Sequence, residues 1–324
     1  MTAPELSIVV PVFNEARNLR PLVERLRPTL DACCASYEIV FVDDGSHDDT
    51  LDELRALHRE DARLAALSFS RNFGKEIAIA AGLDHARGRA AVIMDADLQH
   101  PPEVIARFVE KWREGYKNVY GRRVDRDTDP RMRSFFTRIF YDLIDHFGEV
   151  ALPEGAGDFR LLDRQAVDAL LKMRERARFN KGLYAWIGFK TVGVPFKVEE
   201  RAFGESKFNF GKLMRFALDG LMSFSSIPLK VWALVGMAIS GLALAMAAYF
   251  FIRTMLFGVD TPGFPSLIVS IAFFAGVQLL SLGVLGEYIA RIFAEVKGRP
   301  LYLVAERLGV DDAENPQPKD RFNG

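Results

Sequence analysis

The sequence predicts an α/β fold with a mostly parallel sheet, followed by two membrane-spanning helices. Apolar runs bounded by turn residues recur at 6–13, 37–44, 63–70, 90–97 and 117–123. Helical patterns cover 15–32, 49–60, 75–87 and 101–114. Strands that alternate with helices are typical of βαβ units, whose parallel sheet is covered on both faces. Two long segments without any charged residue, 231–252 and 266–286, follow this region.

The α/β region carries its polar motifs where strands are predicted to end. Its last predicted helix opens with Pro101 and Pro102, and the first turn of a helix tolerates proline. In open parallel sheets, ligands bind outside the carboxyl ends of the strands. PVFNE, VDDGS and DADLQ all follow apolar runs. We therefore expect these three motifs to converge at one edge of the sheet.

Each uncharged segment is long enough to span the roughly 30 Å hydrocarbon core of a bilayer. The alternative is a pair of buried core helices, but a complete α/β domain leaves them nothing to pack against. Lysine and arginine residues flank the outer ends of the two segments, whereas the short connector between the segments contains one basic residue, Arg253. This asymmetry predicts an integral membrane protein whose α/β domain and two termini are cytoplasmic.

These patterns set the predicted domain boundaries. A basic and aromatic stretch before the first span favours an interfacial amphipathic helix. The polar, proline-containing end of the chain is predicted to be disordered. The predicted parts are the α/β domain 1–207, the interfacial helix 208–227, the hairpin 228–290 with spans at about 229–252 and 265–288, and the tail 291–324.

Composition excludes several classes of protein. The net charge is −1 over 324 residues, so nucleic acid is not an expected partner. Cys33 and Cys34 are adjacent and are the only cysteines, which fits neither a disulfide framework nor a zinc site. The N-terminal residues enter a strand pattern directly, without the pattern of a signal peptide.

The motif DADLQHPPE, at 95–103, places oxygen atoms on alternate residues after a buried strand. Asp95, Asp97 and Gln99 are the hard ligands that Mg²⁺ or Mn²⁺ prefers, and such an ion clamps a diphosphate. The alternative is a turn with a helix cap, because Asp readily caps helices. His100 has no metal-ligand spacing and is expected to support the turn.

VDDGS gives a second acidic pair, Asp43 and Asp44, at the end of another strand. A ribose or base is the expected ligand there. The alternative is local, because Ser46 or Asp48 is also suited to capping the next helix.

The chain resembles the polyprenyl-phosphate glycosyltransferases of family two, which include dolichyl-phosphate mannose synthases and bacterial bactoprenol glucosyltransferases. The ordered motifs that carry the resemblance are PVFNE, VDDGS, RNFGKE, DADLQHPPE, GDFRLLDR and RAFGESKF, followed by the uncharged segments and GEYIARIF. The resemblance covers nearly all of residues 5–303. It implies a GT-A fold, a nucleotide-sugar donor, a divalent metal (Mg²⁺ or Mn²⁺) and a polyprenyl-phosphate acceptor.

The resemblance also assigns roles to residues at matching positions. Asp97 and Asp158 are the catalytic pair, with Asp158 at the position of the base. Asp95, Asp97 and Gln99 surround the metal and the donor diphosphate. The nucleotide-sugar pocket is lined by Pro11, Asn14, Glu15, Asp43, Asp44, Lys75 and Asp95.

Four basic residues and one threonine are assigned to the acceptor phosphate or the donor diphosphate. These residues are Arg123, Arg133, Thr137, Arg201 and Lys207. Guanidinium groups suit phosphate oxygens, although a solvated basic loop is the alternative for the first three. A phosphomonoester is largely dianionic at neutral pH and needs little proton removal. Orientation of the sugar is therefore an alternative role for Asp158.

The predicted function is transfer of a hexose to undecaprenyl phosphate at the cytoplasmic face of the bacterial membrane. The resemblance favours glucose from UDP-glucose, with GDP-mannose as the alternative donor and inversion at the anomeric carbon. A processive polysaccharide synthase is disfavoured because a Gln-x-x-Arg-Trp segment is missing. A non-catalytic nucleotide-sugar-binding scaffold is the remaining alternative.

Small residues in the uncharged segments indicate close helix packing in lipid. They include Gly236 and Ser240 in the first segment and Gly276, Ser281 and Gly283 in the second. A hairpin uses only one face of each helix internally, so other faces remain for neighbouring chains. We expect a homo-oligomer, and relatives in the resembled family favour a tetramer.

Overall fold

The computed structural model describes residues 3–124, 156–176, 178–199 and 263–310, with short helical stretches between 235 and 257. The predicted interfacial helix 208–227 and most of the first predicted span lie outside the described residues. So do Arg133, Thr137, Arg201 and Lys207. The chain divides into two compact units, residues 1–217 with 299–324, and residues 218–298.

The first unit contains a mixed sheet of eight strands in the order β7-β5-β6-β4-β1-β2-β3-β8. The strands are β1 Leu6–Val12, β2 Tyr37–Asp43, β3 Leu64–Phe69, β4 Ala90–Ile93, β5 Asn118–Arg123, β6 Ala156–Asp163, β7 Thr191–Phe196 and β8 Val304–Leu308. The helices that the structure describes in this unit are α1 Ala16–Cys33, α2 Thr50–Glu60, α3 Lys75–His85, α4 Val104–Arg113, α5 Arg164–Lys172 and α6 Asn180–Trp186.

The centre of the sheet is parallel, as the sequence predicts. Strand β1 pairs in parallel with β2 and β4, and β2 pairs in parallel with β3. Strands β1 to β4 are almost entirely buried, because helices cover both faces of the sheet. In α1, the side chains of Leu19, Leu22, Leu26 and Leu30 repeat at helical spacing and join this core.

Antiparallel pairing extends the sheet on both sides. Strand β6 lies antiparallel between β4 and β5, and β8 lies antiparallel against β3. The predicted strand set did not include β6, β7 or β8. The predicted tail 291–324 therefore contains a strand of the first unit's sheet rather than only a polar extension.

The helix α3 lies unusually close to the sheet. A Cβ atom added to Gly82 would overlap the side chain of Val9 in β1, so only glycine permits this approach. Ala78, Ile79, Ala80 and Ala81 are all buried. This packing holds the axis of α3 close over the sheet.

The second unit contains α7, Phe264–Val296, which covers the predicted span 265–288 and continues eight residues further. Within it, Phe273–Val296 is long and apolar enough to cross a membrane, with a mean hydropathy of 1.5. Of the described part of the chain, this is the one helix that meets that criterion. The two-helix hairpin stays a prediction.

Candidate active site

The register of the sheet brings two distant motifs together. Ile93 of β4 lies opposite Arg160 of β6 in an antiparallel pair. Two residues after Ile93 the chain reaches Asp95, and two residues before Arg160 it passes Asp158. Because antiparallel partners advance in opposite directions, both carboxylates lie at the carboxyl end of β4. The DAD and GDFR motifs thus meet at the edge where ligands bind such sheets.

Lys75 joins these two carboxylates. Its Nζ atom lies 2.6 Å from Asp95 Oδ1 and 3.1 Å from Asp158 Oδ2. The Lys75 side chain keeps 43% of its surface exposed, so a ligand can reach it. The Asp158 side chain is only 13% exposed. Three residues that are far apart in sequence therefore form one charged cluster with access to solvent.

The charges in this cluster support one another. Burial alone raises the pKa of Asp158, but attraction by Lys75 and Lys181 reverses that effect and lowers the pKa to about 2. Burial likewise lowers the pKa of Lys75, and the opposing attraction of Asp95 and Asp158 leaves it above its ordinary value. At neutral pH, Asp158 is a carboxylate and Lys75 is an ammonium ion.

One oxygen of Asp158 is left for a ligand. Its Oδ1 atom is buried and has no hydrogen-bond partner among the described residues. Buried polar atoms in folded proteins are almost always satisfied by protein, water or ligand. The Asp158 Oδ1 atom is therefore suited to accept a hydrogen bond from a hydroxyl group of a ligand.

The DADLQ turn is held in an uncommon backbone conformation. Leu98 has a φ of 61°, in the left-handed region that non-glycine residues seldom adopt. The Gln99 N–H donates to Asp97 Oδ1 at 3.1 Å, and the Asp95 N–H donates to His100 Nδ1 at 3.4 Å. His100 supports the turn, as expected, and stacks on Phe159 with 4.8 Å between ring centroids.

The protonation state of His100 follows from its surroundings. Burial lowers its pKa, and the nearby charges of Asp95 and Asp97 only partly oppose that effect. The imidazole is therefore neutral at pH 7. Its Nδ1 atom accepts from the Asp95 N–H, which leaves the proton on Nε2.

The oxygen ligands at this turn fit a divalent metal. No group of three or more His, Cys, Asp and Glu side chains suited to a metal occurs among the described residues. Mg²⁺ commonly takes only one or two carboxylates from the protein when substrate phosphates complete its coordination. Asp95 and Asp97 supply that number, and the ion pair of Asp95 with Lys75 shows that this carboxylate already faces a cation.

The second acidic pair makes different contacts. Asp43 is 1% exposed, and its two oxygens accept from the Ser46 N–H at 3.0 Å and the Ser68 hydroxyl at 2.7 Å. Asp44 is 4% exposed and accepts from the backbone N–H groups of Phe73 and Gly74. These carboxylates hold the loops around the site. Their predicted contact with a nucleotide stays a prediction.

The residues after β1 tie that loop to the loop after β2. The Asn14 N–H donates to Ser46 Oγ at 2.8 Å, and Asn14 Oδ1 accepts from the His47 N–H at 2.9 Å. The Glu15 N–H donates to Thr50 Oγ1 at 2.9 Å. The predicted nucleotide-pocket residues Pro11, Asn14 and Glu15 thus lie beside Asp43 and Asp44 at the same sheet edge.

The predicted phosphate-binding residues are only partly described. Arg123 is the last residue of β5 and is exposed. The side chains of Arg133, Thr137, Arg201 and Lys207 lie outside the described residues. Their assignment therefore stays a prediction.

Sequence reasoning missed a polar group near Asp158, of which Arg160, Asn180 and Tyr184 are buried. This group consists of Glu76, Arg160, Asn180, Lys181 and Tyr184. Glu76 and Arg160 stand inside motifs quoted above, RNFGKE and GDFRLLDR, but their types gave no chemical signal by themselves. An apolar pattern around Arg160, with Phe159, Leu161 and Leu162, is the one signal that would have identified β6.

The comparisons with known proteins agree with the fold and the motifs. The family model for glycosyl transferase family 2 matches residues 7–171. An uncharacterized glycosyltransferase of Synechocystis sp. is 48% identical over 95% of this chain and 96% of its own. The bactoprenol glucosyl transferase of Shigella phage SfII is 43% identical over 93% of this chain and 97% of its own.

Among the solved structures that match this chain is the mannosyltransferase PcManGT of Pyrobaculum calidifontis, in complex with GDP-Man and Mn²⁺. It is 18% identical, with a TM-score of 0.47, over 87% of this chain and 84% of its own. The site and the sequence relatives together define a sugar-transferring enzyme. The chain belongs to glycosyl transferase family 2.

Proposed function

We propose that the protein is an inverting glycosyltransferase that transfers glucose from UDP-glucose to undecaprenyl phosphate at the cytoplasmic face of a bacterial membrane. The observation that carries the proposal is the cluster in which Lys75 joins Asp95 to Asp158. It combines an acidic turn suited to a metal diphosphate with a buried carboxylate suited to a sugar hydroxyl.

The acceptor assignment rests on similarity along the whole chain. Relatives named bactoprenol glucosyl transferase match this chain over 93% of its length, beyond the α/β region. The apolar helix α7 is consistent with an enzyme that works at a membrane. An acceptor with a long polyprenyl chain is itself confined to the bilayer.

The reaction is a single displacement at the anomeric carbon. An oxygen of the acceptor phosphate attacks, and the bond from that carbon to the donor diphosphate breaks. The electron pair leaves with the nucleoside diphosphate, and an α-linked donor gives a β-linked product. Asp95, Asp97 and Gln99 would hold Mg²⁺ or Mn²⁺, which would supply positive charge to stabilise the departing diphosphate.

Asp158 orients the sugar in this proposal. A carboxylate with a pKa of about 2 is a weak base at neutral pH, and the acceptor phosphate is already largely dianionic. The unpaired Oδ1 atom is suited to accept a hydrogen bond from a sugar hydroxyl. Lys75 lies next to the site of the leaving diphosphate and contributes a further positive charge.

Other residues are assigned to the two substrates. Pro11, Asn14 and Glu15 line the nucleotide side together with Asp43 and Asp44. Guanidinium and ammonium groups bind the acceptor phosphate and the donor diphosphate. The residues assigned to those phosphates are Arg123, Arg133, Thr137, Arg201 and Lys207.

A donor panel tests the proposal. Purified protein is incubated with a short polyprenyl phosphate, Mg²⁺ and either UDP-glucose or GDP-mannose, and the lipid product is weighed by mass spectrometry. A hexosyl lipid from UDP-glucose alone is expected. Product from GDP-mannose alone would reassign the donor, and consumption of no donor would contradict the proposed reaction.

The membrane topology is tested separately. In this proposal both termini are cytoplasmic and the chain crosses the membrane as a hairpin. A cysteine placed at Val259 should be labelled only from outside the cytoplasm, and one placed at Gln317 only from inside. The variants Cys33→Ser and Cys34→Ser remove the native thiols first. Labelling of both positions from one side would contradict the hairpin.

The assembly is proposed to be a homotetramer. Gly276 and Gly283 lie seven residues apart on α7, and such small residues let helices approach closely in lipid. The hydroxyl of Ser281 donates to the Val277 carbonyl within the same helix, so it contributes small size rather than an interhelical bond. Mass measurement in detergent tests the assembly, and a single-chain mass at all concentrations would contradict it.

A further inference from the structure

Two hydrogen bonds between Glu76 and Asn180 join the first turn of α3 to the first turn of α6. The Asn180 N–H donates to Glu76 Oε2 at 2.8 Å. The Asn180 side-chain amide donates to the Glu76 backbone carbonyl at 3.2 Å. One residue of α3 is thus bonded to one residue of α6 through both its side chain and its backbone. We call this pair of hydrogen bonds the Glu76–Asn180 clamp.

Asn180 is held firmly on its own side of the clamp. It is 1% exposed, and its Oδ1 atom accepts from Arg178 Nε at 2.7 Å. Arg178 in turn donates to the Met173 carbonyl at 2.7 Å. A buried amide with its donor and acceptor atoms engaged has little freedom to rotate. The clamp therefore transmits the position of α6 to the first turn of α3.

Both sides of the clamp lead to Asp158. On the α3 side, Lys75 directly precedes Glu76 and is bonded to Asp158. On the α6 side, the Tyr184 ring packs 3.7 Å beneath the guanidinium of Arg160. Arg160 donates to the Gly157 carbonyl at 2.6 Å, directly before Asp158. The clamp closes a ring of contacts around the carboxylate that is proposed to face the sugar.

The surroundings of the Glu76 carboxyl group disfavour its charged form. Burial and the negative charge of Asp158 raise the pKa of Glu76 to about 7, against the opposing effects of Asn180, Lys75 and Lys181. A buried ionisable group is destabilising unless its partners compensate for lost hydration. For Glu76, the backbone N–H of Asn180 donates the compensating hydrogen bond to Oε2.

We propose that Glu76 is a positioning residue of the transfer site, because its bond to Asn180 fixes the start of α3 so that Lys75 reaches Asp95 and Asp158 together. Glu76 acts through Lys75 and need not touch the substrate. The kinetic part of the test rests on the proposed function. The chemical-labelling part requires only folded protein.

The kinetic test compares variants that remove the acceptor atom with one that keeps it. Glu76→Ala and Glu76→Met both remove the acceptor, and methionine keeps most of the volume if alanine fails to fold. A misplaced Lys75 should lower kcat by about 10- to 100-fold while the donor KM stays within about threefold. Glu76→Gln retains a carbonyl oxygen and should stay within about threefold of wild type in kcat.

Three kinetic outcomes would overturn the inference. One is an unchanged kcat in Glu76→Met. Another is an increase in donor KM without loss of kcat, which would make Glu76 a donor-binding residue. The third is an equal loss in Glu76→Gln and Glu76→Met, because the charge and not the hydrogen bond would then matter.

The labelling test follows the reactivity of Lys75 toward acetic anhydride by mass spectrometry. Lys111 serves as an internal reference, because it has similar exposure and, among the described residues, forms an ion pair with one carboxylate, that of Glu114. In wild type, ion pairs with Asp95 and Asp158 restrain the Lys75 ammonium, so Lys75 should react more slowly than Lys111. Glu76→Met should increase the Lys75-to-Lys111 ratio about threefold or more, and Glu76→Gln should leave it unchanged.

Asp84→Ala is the matched control for loss of a buried carboxylate. Asp84 lies on the same helix, near its other end, where it accepts from Arg174 and from the Tyr302 hydroxyl. This control should destabilise the protein without changing the Lys75 ratio. An unchanged ratio in Glu76→Met, or an equal increase in Asp84→Ala, would overturn the positioning role even if no donor were turned over.

Discussion

Asp43 and Asp44 follow β2, whereas Asp95 and Asp97 follow β4, and β1 lies between these two strands. Both acidic pairs therefore occupy the same edge of the sheet. The oxygens of the first pair accept hydrogen bonds from Ser46, Ser68, Phe73 and Gly74. In the second pair, Asp95 bonds to the exposed ammonium of Lys75.

The difference shows that position at a strand end does not determine what a carboxylate does. Around the first pair, the loop 70–74 folds back over β2. A Cβ atom added to Gly45 would lie 2.6 Å from the Arg71 carbonyl carbon, so the loops are in direct contact. That contact excludes solvent and supplies N–H donors. Around the second pair, the turn at Leu98 keeps the acids accessible to ligands.

The largest expected effect separates the two pairs by activity. Asp97→Ala removes a proposed metal ligand and should lower turnover by about 10³-fold or more, because charge stabilisation at a leaving group is a large term. Asp97→Asn keeps an oxygen that can accept from the Gln99 N–H, so it isolates the loss of charge. Excess EDTA should lower the turnover of the wild-type enzyme by the same factor as Asp97→Ala does. Full activity of Asp97→Ala in EDTA would contradict the metal assignment.

An intermediate effect separates the pairs by stability. Asp44→Ala leaves the N–H groups of Phe73 and Gly74 without their acceptor, which should lower the free energy of unfolding by about 2 kcal/mol. Asp44→Asn keeps one acceptor oxygen and should lose less. Thermal unfolding of the purified protein gives the comparison with Asp97→Ala, which should unfold near the wild-type temperature. An equal loss of stability in Asp44→Ala and Asp97→Ala would contradict separate roles for the two acidic pairs.

The smallest expected effect concerns pH and uses a third carboxyl group, that of Glu76, which is partly buried. The folded protein raises the pKa of this group from 4.5 to about 7, mainly through burial. The charged groups that act on it are Asp158 on β6, Lys75 on α3 and Lys181 on α6. Because the folded state binds the proton more tightly, the stabilisation is complete below the unfolded pKa and is lost as pH rises through about 7.

Thermal unfolding of wild type and Glu76→Gln at about pH 5 and about pH 8 measures this effect. The amide cannot release a proton in this range. The melting temperature of wild type should therefore fall more between the two pH values than that of the variant. Parallel changes would show that Glu76 does not titrate there.

The sequence identified the first five strands and four helices because hydrophobic periodicity is a local property. The predicted helix 49–60 is observed as Thr50–Glu60, and the predicted strand 37–44 as Tyr37–Asp43. Strand β6 was missed although its motif was recognised. It is placed by antiparallel pairing with β4 and β5, which lie far from it in sequence, so local periodicity does not reveal it. Strand β8 was missed for a different reason, because a strand of five residues carries little sequence pattern.

For the site, the residue types of Asp95, Asp97 and Gln99 predicted a cation site, with a helix-capping turn as the alternative. The role of Asp158 was predicted only by the resemblance to the family. The family of the chain followed from the order of those motifs. Only the tertiary structure showed that Lys75 joins Asp95 to Asp158, that the VDDGS acids are engaged in loop contacts, and that Glu76 bonds to Asn180. The physical reason is that motifs record local chemistry, whereas ion pairs and burial depend on strand register and helix packing between distant segments.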